Sequence, residues 1–119
     1  MPVTELPTNG PSEAAYQSYF QRDHERSLPH TYEVLLERYN VSVNMSATSH
    51  CGVLAMRFPV GKPRFVLIKP NSDVNQSSVI LKQDGTVVTY NPAHRIYAGS
   101  GQDAGFAGHS VVSIFGASI

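Results

Sequence analysis

The sequence predicts an all-β fold, an antiparallel β-sandwich. Two observations carry this. Short alternating or continuous apolar runs recur with turn signals roughly every 8–12 residues, the usual mark of a sandwich or barrel. No helical pattern is long enough for a βαβ crossover, and no internal repeat is present.

Residues 1–15 are rich in Pro, Thr, Gly and Ser and read as irregular. Ala14 to Arg26 allows one helical turn or a loop; its Tyr16, Tyr19 and Phe20 need a partner surface, and Pro29 closes it. Thr31 to Arg38 and Val41 to Thr48 then read as strands around a tight turn at Tyr39-Asn40, where Asn tolerates the left-handed conformation. In the second of these, Val41, Val43 and Met45 share a buried face while Ser42, Asn44 and Ser46 share a wet one. Val53 to Phe58 and Arg64 to Lys69 are nearly continuous apolar runs, the pattern of central strands covered on both sides. After a polar loop over 71–77, Val79 to Leu81 and Thr86 to Tyr90 form a hairpin on the Asp84-Gly85 turn signal. His94 to Tyr97 reads as a short strand, Gly99 to Gly108 as a glycine-rich loop, and Ser110 to Phe115 as the last strand.

The 119 residues suffice for one modest core. Nine basic and nine acidic residues leave no net charge, which argues against a nucleic-acid or anionic-membrane partner. No run approaches the roughly 18 apolar residues of a membrane helix. Met1 to Gly10 lacks the basic and apolar regions of a signal peptide. Three sequons, at Asn40, Asn44 and Asn75, favour a secretory ancestry, so the true N-terminus is expected to lie outside this chain. The single cysteine, Cys51, permits no internal disulfide and is expected to be a buried, unreactive thiol.

Chemistry-bearing patterns are sparse. Glu33 and Glu37, four apart on one strand, would share a face about 13 Å apart, wider than the roughly 6.5–9.5 Å of an inverting glycosidase pair. The segment from Gln21 to Glu25 could bind a metal or shuttle protons through His24, but an exposed polar loop explains it better. His24, His30, His50, His94 and His109 have no helical zinc spacing, which leaves a small histidine-based metal site as the weakest reading. The glycine-rich loop lacks the Lys-Ser/Thr of a phosphate loop and no helix follows it.

The segments LPHTYEVLLERYNVSVNMSATSHCGVLAMRFP, RFVLI and HRIYAGSGQDAGFAGHSVV are ordered in a known way. Their specific parts are Ser46-Ala-Thr48 with Gly52 and Phe58-Pro59, then Arg95-Ile-Tyr97 and Gly105-Phe-Ala-Gly108. Over residues 18–115 the chain resembles the N-terminal β-sandwich domain of family-92 glycoside hydrolases, especially fungal members. The resemblance implies a galactose-mutarotase-like super-sandwich in a calcium-dependent, inverting exo-α-mannosidase that trims N-glycans in the secretory pathway. It divides the chain into an irregular lead-in over 1–17 and a partial sandwich over 18–119.

Departures from the pattern accompany it. Gln21-Arg22 stand where the family has Ser-His, although Asp23 and Glu25 remain; Pro29-His30 replace a Pro-Gly turn. Leu54 and Ala55 replace a polar or basic pair, and Ser100 replaces an aromatic. The family's catalytic carboxylates and calcium ligands lie mainly in a helical domain beyond the sandwich. The resemblance therefore implies a truncated, diverged fragment: an incomplete sandwich with no catalytic residue, metal ligand or cofactor of its own, and inactive alone. Its expected partner is a glycan or the missing catalytic domain. The alternative is a non-catalytic carbohydrate-binding or protein-interaction module. Asp23, Glu25, Tyr97 and Phe106 are the candidate sugar contacts, with Tyr90 a further aromatic candidate.

Overall fold

A computed structural model describes residues 1–8, 12–69, 77–92 and 106–116. They form two compact units, Met1–Leu67 and Ile68–Ile119. Every strand pairing in both is antiparallel, and the described residues contain only one four-residue α-helix, α1 at Glu13–Tyr16. The chain is all-β, built as an incomplete sandwich.

The first unit rests on a four-stranded sheet. Its strands are β2 (Glu25–Leu28), β3 (Thr31–Leu36), β4 (Val41–Ala47) and β5 (Gly52–Arg57), paired in that order. A second layer is a two-residue ribbon of β1 (Pro2–Val3) on β6 (Phe65–Val66). Met1 and Leu67 extend it: the amino group donates to the Leu67 carbonyl at 2.6 Å, and the Leu67 N–H donates back to Met1 O at 2.8 Å. Partial burial pushes that amino group's pKa down.

The layers meet at Val3, Val34, Val41, Val43 and Tyr39, with Val3 and Val41 fully buried. The alternation read in β4 holds: Val41 and Val43 are buried, while Ser42, Asn44 and Ser46 face solvent. Met45 is only half covered, because the β1–β6 ribbon is too short to reach every core-face position.

The β3–β4 turn forms where expected. Asn40 takes the left-handed conformation (φ 50°). Beside it the Tyr39 ring enters the core and its hydroxyl donates to Tyr16 O at 2.8 Å, and burial pushes its pKa up. Arg38 lies over the Tyr39 ring and donates from Nε and Nη2 to Glu5 Oε1 at 3.2 and 2.9 Å.

Several expectations are corrected. The opening residues are not all irregular, since β1 supplies Val3, one of the two most buried side chains of its unit. A strand, β2, occupies the end of the segment read as a helical turn or loop; Arg26 and Leu28 alternate too weakly to announce it. The apolar run over 53–58 is not a central strand among the described residues: there β5 is an edge, and Val53 and Leu54 are exposed. The run over 64–69 pairs for only two residues because its partner ribbon is that short. Cys51 is exposed rather than buried, since it lies in the β4–β5 turn, where its N–H donates to Thr48 Oγ1. Tyr19 and Phe20 are also exposed.

The second unit is a three-stranded sheet of β7 (Ser78–Leu81), β8 (Thr86–Asn91) and β9 (Gly108–Ser113), with β8 central. The β7–β8 turn forms as predicted: Gly85 adopts φ 80°, and the Asp84 carboxylate accepts from the Thr86 N–H at 2.9 Å. That backbone bond holds the Asp84 pKa below its ordinary value. The strand expected at His94–Tyr97 and most of the loop expected at Gly99–Gly108 lie outside the described residues.

Two outcomes are predicted. Val41→Ala should cost about 2–3 kcal/mol in urea unfolding, from two lost methyl groups plus a cavity. Met45→Ala, at a half-covered position, should cost clearly less. Asp84 has a depressed folded pKa, so its contribution is present above the unfolded pKa and disappears as pH falls through the folded one. Hydrogen-exchange protection of the β7–β8 amides should therefore drop in acid, and Asp84→Asn should flatten that dependence.

Candidate functional site

The core face of the four-stranded sheet is occupied, so chemistry must use the other face. Register decides what stands there. Arg26 pairs with Glu33, Glu33 with Asn44, and Asn44 with Ala55. One step along, Leu35 pairs with Ser42 and Ser42 with Arg57. These two rows project on the side opposite Val34 and Val43, because strand side chains alternate.

All residues of these rows but Arg26 border an open groove of about 640 Å³, together with His24. Asn44 is its organiser. Its Nδ2 donates to Glu33 Oε1 at 2.7 Å, and its Oδ1 accepts from the Thr31 hydroxyl at 3.0 Å. At the margin, His24 Nδ1 lies 2.8 Å from Glu37 Oε1. The Arg57 guanidinium has no hydrogen-bond or ion-pair partner among the described residues and is free to meet a ligand. The groove thus offers a carboxylate, an amide, a hydroxyl and a guanidinium beside the apolar Leu35 and Ala55. One acid balances one base, which suits a neutral, hydroxyl-rich ligand better than a strongly charged one.

The candidates chosen from sequence fall elsewhere. Asp23 is exposed in a 3-10 turn (Arg22–His24) and does not line the groove. Glu25 pairs with Val34, so it sits on the core-face side, where its carboxylate accepts from the Tyr32 hydroxyl at 2.6 Å. That bond raises the Tyr32 pKa. Phe106 is 69% exposed in the second unit, and Tyr97 lies outside the described residues. Glu33 and Glu37 do not share a straight strand: β3 ends at Leu36, and Glu37 turns to His24. Ser42, Asn44 and Arg57 were not singled out as site residues. The wet-face alternation of β4 was the available signal for the first two. Arg57 needed the β4–β5 register.

Among the described residues no three His, Cys, Asp or Glu side chains come together as metal ligands. No helix among them is long and apolar enough to cross a membrane.

The family model of the glycosyl hydrolase family 92 N-terminal domain matches residues 1–117. The chain belongs to this family. No curated protein and no solved structure matches it. The family-92 match spans both units, including β1, and so takes in the opening residues as well as the sandwich strands.

Within this family-92 sheet, stability and the groove should separate. Asn44→Ala removes two side-chain bonds and should cost about 1–2 kcal/mol in urea unfolding. Arg57→Ala removes none and should stay within about 0.5 kcal/mol of the parent.

Proposed function

We propose that this chain supplies a sugar-contacting surface to an α-mannosidase-type glycoside hydrolase that processes N-glycans, with the hydrolytic groups contributed from outside it. The observation that carries this reading is the groove over Glu33, Asn44, Ser42 and Arg57 in a family-92 N-terminal domain. A pyranose ring presents hydroxyls that donate to Glu33, exchange bonds with Asn44 and Ser42, and accept from Arg57. Leu35 and Ala55 give its C–H face an apolar rest. Asp23, in the 3-10 turn before β2, and Glu25, at the start of β2, remain candidate contacts outside the groove itself.

Catalysis is a separate matter. General acid–base cleavage of a glycoside needs two carboxyl groups flanking the bond. In the groove Glu33 is engaged by Asn44, and Glu37 is engaged by His24 at the margin. The parent family's calcium would be held outside the residues described.

A second reading is a non-catalytic sugar-binding module, favoured by the exposed Phe106 ring as a stacking platform. The test titrates a mannose-terminated oligosaccharide into the labelled chain and follows amide shifts. The leading reading expects weak, saturable shifts in β3, β4 and β5 that Arg57→Ala and Glu33→Gln abolish. Shifts confined to the strand after Phe106, and lost in Phe106→Ala, would select the second. With calcium and an α-1,2-mannobiose substrate the chain alone should show no turnover; hydrolysis above background would refute the division of labour.

A further inference from the structure

The sequons remain unexplained by the groove, and the fold treats two of them differently. Asn40-Val-Ser42 and Asn44-Met-Ser46 are four residues apart, on the same hairpin. Asn40 is exposed at the β3–β4 turn. Its backbone N–H is bonded to Glu37 O at 3.3 Å, while its side-chain amide has no partner among the described residues. The turn is held from beneath by Tyr39 and from the side by Arg38, so a group on Asn40 leaves the protein without disturbing either. Ser42, the hydroxyl residue of this sequon, is exposed too.

Asn44 is the opposite case. It lies in mid-strand between Glu33 and Ala55, and its amide nitrogen already donates to Glu33. A sugar on that nitrogen would have to stand in the groove and compete with the Glu33 and Thr31 bonds.

We propose that Asn40 is an N-glycan acceptor and that Asn44 is not one in the folded protein. The donor is a polyprenyl-diphosphate oligosaccharide. Asn40 Nδ2 attacks C1 of its first sugar; the C1–N bond forms, the C1–O bond breaks, the amide gives up one proton, and polyprenyl diphosphate leaves. The transferase meets the chain before the sheet closes, so both asparagines are offered to it. The fold decides which product can complete the β3–β4 hairpin with its groove face intact. A bulky, hydrated group at an exposed turn is tolerated; the same group in mid-sheet is not.

The full chain, with Asn75→Gln to remove the third sequon, is directed into the endoplasmic reticulum of a eukaryotic host by an appended leader. Secreted and retained fractions are both mapped by amidase release of glycans in heavy-oxygen water. Expected is one glycan, on Asn40, with the Asn44 glycoform absent from the secreted fraction. Asn40→Gln and Ser42→Ala should each lose that one gel step, and Asn44→Gln should keep it; Ser42→Ala leaves the left-handed turn residue in place. Unmodified Asn40 in both fractions, or an Asn44 glycopeptide in the secreted one, overturns the proposal.

Discussion

Val3 pressing on Val34, Val41 and Val43 is the contact on which the first unit depends. It joins the two-residue ribbon to the four-stranded sheet and gives the sheet an inside. Without it both faces of β3 and β4 would be wet, and their alternation would have nothing to select. The ribbon is short, yet the chain is drawn tight at it. Met1 and Leu67 exchange both backbone bonds, closing a loop that contains the whole sheet. Closing so long a loop is entropically costly, and burial of Val3 helps to offset that cost.

Once the inside is defined, the outside follows by parity. Each residue between two core positions on β3 and β4 must face the groove. Glu33 falls between Tyr32 and Val34, and Ser42 between Val41 and Val43. A one-residue slip in register would bury Glu33 and Asn44 and expose Val34 and Val43, a large penalty on both counts. Core burial therefore holds the groove residues in place, even though none of them contributes to the core. The Asn44 bonds to Glu33 and Thr31 add local stiffness where a ligand would meet the protein.

The sequence showed most of this sheet and little of its use. Alternation in β4, the Asn40 turn and the Asp84-Gly85 turn were legible because each is a local signal with a local cause. The edge position of β5 was not, because an apolar run looks the same in a central strand and in an edge whose cover is incomplete. Cys51 misled for a related reason: thiols are usually buried, but a turn residue follows the backbone bonds of its turn. Arg57 could not be placed beside Ser42 without the β4–β5 register, which is a long-range fact. Asp23 and Glu25 come from resemblance to a family pattern, and a pattern carries no information about which face of β2 the Glu25 carboxylate takes or that Asp23 stops short of that strand.

The second unit extends the argument about cover. In its sheet Leu81, Val87 and Val112 form one row, and Ile80, Val88 and Val111 form the adjacent row on the opposite face. Ile80, Leu81 and Val111 are all exposed among the described residues. A sheet apolar on both faces is stable only when layers cover both. Each face thus carries one apolar row beside a mixed one, Val79-Thr89-Ser110 on the first and Ser78-Tyr90-His109 on the second, and the apolar rows are where cover would stabilise the sheet most.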